Sequence, residues 1–167
     1  MKPDIVELSL LEALRTARGI EEQLSMRYSE FAGFTDNEVA CSLFTHLASE
    51  CRKHSSMLDE LPGLLGKAVD LPYRGDFVPR RLPEIGSIID GQSAIETTFK
   101  IVKEHIAVEE SVLRYYVDLS RIVSNVKAAG IIRRLIEDER SHHGMLGRLT
   151  SQLTELYGEQ LALDSDN

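Results

Sequence analysis

The chain reads as an all-α four-helix bundle, two antiparallel helical hairpins joined by one long crossover. Three observations carry that reading. Apolar residues return every three or four positions along four separate stretches, the spacing of helices that each bury one stripe. Residues 62–92 gather four of the five prolines and five glycines, so one connection is long and irregular. The two halves of the chain also match without a gap at an offset of 88 residues. Helices are expected over about 4–33, 36–61, 93–121 and 125–157, forming a domain of residues 1–158, with 159–167 as a polar, frayed tail.

Taken in order, Pro3 and Asp4 suit a first helical turn, and Leu14, Ala17, Glu21, Leu24, Tyr28 and Phe31 form the inner stripe that follows. Thr35 with Glu38 reads as a capping box opening the second helix, whose stripe is Phe44, Leu47, Cys51, His54, Leu58 and Leu61, with Pro62-Gly63 as its end. The crossover 62–92 is long enough to travel the length of a helix, so the helices on either side can run parallel. Ser93 with Glu96 is a second capping box. The stripe after it is Ile95, Val102, Ile106, Glu109, Val112, Tyr116 and Leu119. A tight turn near Ser124 and Asn125 leads to the fourth helix, with Ile132, Leu135, Leu146, Leu149, Leu153 and Leu156 inside and Gly158 at its stop.

Composition narrows the function. At 167 residues the chain can bury a real core, and a formal charge of −8 disfavours nucleic acid or an anionic membrane as partner. No run approaches the ~20 apolar residues that span a bilayer, and the first residues lack a signal-peptide pattern. Cys41 and Cys51 fall on one helix about 15 Å apart by helical rise, too far to bridge. With no disulfide framework, the expected compartment is the cytoplasm.

The chemistry lies where charge interrupts the stripes. Positions 139 and 142 complete the inner face of the fourth helix, and they hold Glu139 and His142. A buried carboxylate and imidazole need compensation. A metal supplies it, and so does a protonated Glu bonded to a neighbour beside a neutral core His. The repeat tips the balance. Glu21, Glu22 and Tyr28 recur as Glu109, Glu110 and Tyr116, His54 recurs as His142, Glu50 as Asp138, and Cys51 takes the place of Glu139. Each hairpin turn is equidistant from its polar inner residues, so pseudo-twofold packing brings Glu21, His54, Glu109, Glu139 and His142 to one level of the bundle. Oxygen and imidazole donors together suit iron, manganese or zinc. Tyr28 and Tyr116 either donate to the carboxylate of the opposite half or simply fill a core layer. His105 is read as a rim histidine, with accessory ligation as the alternative.

The order Glu, then x-x-His, then Glu, then Glu-x-x-His, with a Tyr seven residues after each lone Glu, resembles the ferritin-like di-iron superfamily, rubrerythrin branch, over about residues 5–158. The resemblance implies a left-handed crossover four-helix bundle around two carboxylate-bridged iron ions. Glu21 and His54 would serve mainly one ion, Glu109 and His142 would complete the set, and Glu139 would bridge or chelate. Glu50 and Asp138 correspond to acids that accept the N–H of the opposite helix's His; solvated acids at the stripe's edge are the alternative. The chain departs from the pattern at Cys51, where the family has Glu and where a thiolate can still ligate zinc or iron. It departs again at Val112, where rubrerythrins proper carry another Glu, and it lacks their Cys-rich rubredoxin-like domain.

The expected function is therefore a metal-binding, di-iron oxidoreductase handling oxygen or peroxide, with a separate electron-donor protein and a homodimeric or larger assembly. The alternatives are non-catalytic iron or zinc storage, and a bundle with a vestigial site serving protein association.

Overall fold

The computed structural model describes residues 8–73 and 93–164, with side chains described as far as 159. Four helices carry the architecture: α1 (Leu10–Phe34), α2 (Glu38–Leu65), α3 (Ala94–Ile122) and α4 (Val126–Asp164). A short 3-10 helix, Gly66–Asp70, follows α2. No helix among the described residues is long and apolar enough to cross a membrane.

Local chemistry sets the boundaries, and it moves several from where the sequence pattern put them. Ser9 caps α1: its hydroxyl accepts from the Glu12 backbone N–H while the Glu12 carboxylate accepts from Ser9 N–H, so the helix starts at Leu10. Pro3 and Asp4, which suggested a start at residue 4, lie outside the described residues. α2 is capped by Asn37, whose side chain accepts from Ala40 N–H at 2.9 Å, and not by Thr35. Thr35 ends α1, accepts from Asn37 N–H at 3.2 Å and pairs with Thr98 on α3 at 3.0 Å. An Asx side chain is the stronger cap, and it won over the Thr-x-x-Glu signature.

Pro62 does not end α2 either. It sits in the last turn, and the helix runs to Leu65 before Gly66 turns the chain at φ 54°, a conformation that favours glycine. Ser93 and Glu96 do form the capping box expected of α3. α4 continues through Gly158 to Asp164, so part of the expected tail is helical, because one glycine weakens a helix without stopping it.

The hairpins α1/α2 and α3/α4 pack side by side, α2 against α4 and α1 against α3. Direction follows from the ends. Leu10 N–H donates to Leu71 O and Tyr73 N–H to Leu8 O, so the strand leaving α2 returns to the start of α1. Tyr115, late in α3, donates to Ala13 O near that same end. The Thr35–Thr98 bond places the start of α3 at the opposite end. α2 and α3 therefore run parallel, the end of α2 and the start of α3 lying at opposite ends of the bundle.

The stripes of α1 and α2 are buried as read. On α3 the face is rotated by a residue near its middle: His105 is buried and Ile106 only half-buried. On α4, Leu156 is 69% exposed, because it lies beyond the end of the core it was assigned to.

Candidate metal centre

Four helices each contribute to one polar layer in the apolar interior. Glu21 (α1), His54 (α2), Glu109 (α3) and Glu139 and His142 (α4) are all at most 1% exposed. They meet because Glu and His occupy stripe positions at matching heights in both hairpins. The repeat makes the two halves near-copies.

Two groups of three share this layer: Glu21, His54 and Glu139, and Glu109, Glu139 and His142. Nδ1 of His54 lies 2.9 Å from Glu139 Oε1 and 3.3 Å from Glu21 Oε1. Nδ1 of His142 lies 3.6 Å from Glu139 Oε2 and 3.8 Å from Glu109 Oε2. Glu139 thus turns one oxygen to each group. The two imidazoles stack with centroids 5.3 Å apart.

Each half also steadies the carboxylate of the other. Tyr28 donates to Glu109 Oε1, and Tyr116 donates to Glu21 Oε1. Burial, reinforced by the neighbouring carboxylates, pushes both phenols well above their ordinary range, so they remain donors. Asp138 Oδ2 stands 3.3 Å from His54 Nε2. A hydrogen on Nε2 for Asp138 leaves the Nδ1 lone pair facing the interior.

That arrangement tests whether a cation fits. Glu21 Oε2, Glu109 Oε2, both oxygens of Glu139 and Nδ1 of both imidazoles are buried without a hydrogen-bond partner. The close approaches of the two imidazoles to these carboxylates are therefore not aligned hydrogen bonds. Native proteins leave only a few such atoms orphaned per hundred residues, so six gathered in one layer call for a compensating group. Two donors at ~2.1 Å from one ion, set at right to tetrahedral angles, stand roughly 3.0–3.4 Å from each other; the His54 separations of 2.9 and 3.3 Å match that spacing, and those of His142, 3.6 and 3.8 Å, are somewhat wider. The residues fit a bound metal cation.

Without cations, protons must do the compensating. Burial opposes the charged imidazole, yet the carboxylates of Glu139 and Glu21 outweigh it and hold His54 up at about 11. His142 is likewise held up at about 10 by Glu109 and Glu139 against its burial. Burial and the Glu109 and Glu21 carboxylates push Glu139 above the usual carboxylate range. Burial pushes Glu109 the same way, but the neighbouring Glu139 and His142 and the bond from Tyr28 bring it below the usual range. Protons and metal thus compete for one set of atoms.

The remaining sequence candidates fall around this layer. Cys51 is buried, and its thiol is pushed well up by burial and by Glu21, Glu109 and Glu139, so it borders the carboxylates as a neutral group. It belongs to neither group of three. Glu50 does not act as a hydrogen-bond acceptor for His142 in the way Asp138 does for His54. Its Oε1 takes Lys53 Nζ at 2.5 Å, while its carboxylate also approaches both His54 and His142.

His105 is neither at the rim nor among the candidate ligand groups. It is 0% exposed, held by its Nδ1 to Ile101 O at 3.0 Å and packed edge-on against Phe31. The repeat contained the signal for it: Ala17, 88 residues earlier, is a stripe position.

Comparison with known proteins agrees with this geometry. The chain matches the Rubrerythrin family model over residues 12–150. A crystal structure from Thermotoga maritima, described as a ferritin-like diiron-carboxylate protein, superposes with a TM-score of 0.77 at 19% identity, covering 87% of this chain and 96% of that one. No curated protein sequence matches the chain.

Proposed function

Because this chain belongs to the rubrerythrin family, we propose that it is an oxidoreductase that holds two iron ions and reduces dioxygen or peroxide. The observation that carries the reading is the set of six orphaned donor atoms, divided into two Glu–His groups that share Glu139. Glu21 and His54 would hold one ion, Glu109 and His142 the other, and Glu139 would bridge them. Bound iron would supply the one-electron steps that reduction of oxygen or peroxide requires.

The chain's own residues do the rest. Leu24, Leu58, Leu135, Val112 and Leu146 are all buried within about a turn of a ligand residue and keep water from the layer. Low local polarity strengthens every charge interaction there. Tyr28 and Tyr116 fix the rotamers of Glu109 and Glu21, each leaving the second oxygen buried and unpartnered. Asp138, 29% exposed, fixes the His54 tautomer and links that imidazole to solvent for proton exchange. Electrons would come from a separate donor protein. Assembly into a homodimer or larger oligomer in the cytoplasm belongs to the same proposal.

The test is iron quantitation on protein purified without added metal, followed by ferrous loading and exposure to oxygen. About two irons per chain and a new visible band are expected, with both lost in Glu139→Ala. A colourless protein that binds no iron would overturn the reading. A second reading, storage or buffering of iron or zinc without turnover, is favoured by Cys51, which leaves Glu139 as the one bridging carboxylate. Tightly held zinc in the purified protein, with no oxygen consumption after iron loading, would select it.

A further inference from the structure

The metal layer has no exposed ligand. Every member of the two interior groups is at most 1% exposed, so an ion arriving from water meets none of them directly. A third group reaches outward: Glu50, His54 and His142 place one ligand atom each within 4.8 Å of one another. Glu50 is the one member of any of the three groups with solvent access, its side chain being 19% exposed.

We propose that Glu50, with His54 and His142, forms the entry position through which divalent cations reach the interior; this rests on the metal-binding reading above. Three features of the group support a transit role. Both imidazoles are shared with the interior groups, and their stacked rings are 5.3 Å apart, so an ion can be passed inward without leaving nitrogen ligation. Glu50 already holds a cation, the Lys53 ammonium at 2.5 Å, and Lys53 is 66% exposed and attached by a flexible stem. An arriving divalent ion offers the carboxylate twice that charge and frees the ammonium to water. The repeat also shows that the two edges differ. Asp138, the counterpart of Glu50, stands in hydrogen-bond range of His54 Nε2, whereas Glu50 is turned to Lys53. One acid fixes a tautomer, and the other is free to exchange partners.

Cobalt(II) and zinc(II) serve as probes, added to the metal-free full chain. Cobalt loading is followed by stopped-flow absorbance, and zinc loading by competition with a fluorescent chelator. Glu50→Gln is expected to slow loading at least tenfold while leaving the final number of ions per chain unchanged. Lys53→Ala, which keeps the carboxylate and removes its resident cation, is expected to speed loading two- to fivefold. Loading of Glu50→Gln at the parental rate would overturn the proposal. So would fewer ions at saturation in a normally folded Glu50→Gln, which would make Glu50 a resident ligand. Failure of the unaltered chain to bind either probe would overturn the metal-binding reading itself, a result distinct from both.

Discussion

Single positions decide how this interior is charged, and Cys51 decides most. It occupies the repeat counterpart of Glu139 and presents a neutral thiol where a fourth carboxylate would stand. Cys51→Glu is expected to act in opposite directions on the two states. The metal-free protein loses stability, since a further buried acid must be protonated or left uncompensated at a cost of several kcal/mol. Metal affinity rises at least tenfold, because the added carboxylate faces the shared layer. Thermal melts with and without zinc measure both, and equal shifts in the two states would contradict the assignment. His105 makes a separate prediction. Burial holds its pKa down at about 4, against an ordinary value of 6.5. The unfolded chain therefore binds a proton between pH 6.5 and 4 that the native state refuses. Stability falls as pH drops through that window, by about 3 kcal/mol from this residue. His105→Leu is expected to flatten the acid limb of urea-derived stability by that amount; an unchanged slope would count against the buried neutral imidazole.

Among the elements, the helix ends show where local chemistry competes. Thr35-x-x-Glu38 has the form of a capping box, yet Asn37 takes the cap and Thr35 closes the preceding helix. Asn37→Ala is expected to cost about 1 kcal/mol, and Glu38→Ala less than about 0.5 kcal/mol, as for an ordinary surface change. Chemical denaturation of the two variants checks the order, and a larger loss in Glu38→Ala would restore the capping box. The helices themselves were legible because period and composition are local. Their ends were less so: Pro62 and Gly158 look like stops in a sequence, but the burial of Leu65 carries α2 past the first, and a single glycine weakens α4 without stopping it. His105 was misread for a related reason. A stripe drawn at fixed spacing chose Ile106, whereas the face that meets α1 turns His105 inward.

For the whole molecule, the bundle stores three carboxyl groups and two imidazoles in a dry layer, which protons or metal ions must neutralise. Metal bound to the native state but not to the unfolded chain shifts the folding equilibrium by mass action. At a free concentration 100 times Kd this is about 2.7 kcal/mol per site. For a domain of this size each kcal/mol moves the midpoint by roughly 2–4 °C. Zinc or ferrous iron is therefore expected to raise Tm by about 5–10 °C or more, and a chelator to return it. The gain shrinks towards acid pH, where protons hold the same atoms. A Tm indifferent to metal at neutral pH would argue that the orphaned atoms are satisfied in another way.

The sequence by itself determined the helical class, the pairing of its halves and the residue types of the central layer, because stripe spacing and an 88-residue repeat survive in one dimension. Only the tertiary structure decided that Glu139 faces both imidazoles, that Tyr28 and Tyr116 reach across to the opposite half, and that Asp138 turns to His54. Those outcomes depend on rotamers and on helix rotation, which are settled by packing between segments about 80 to 95 residues apart. No local pattern encodes them.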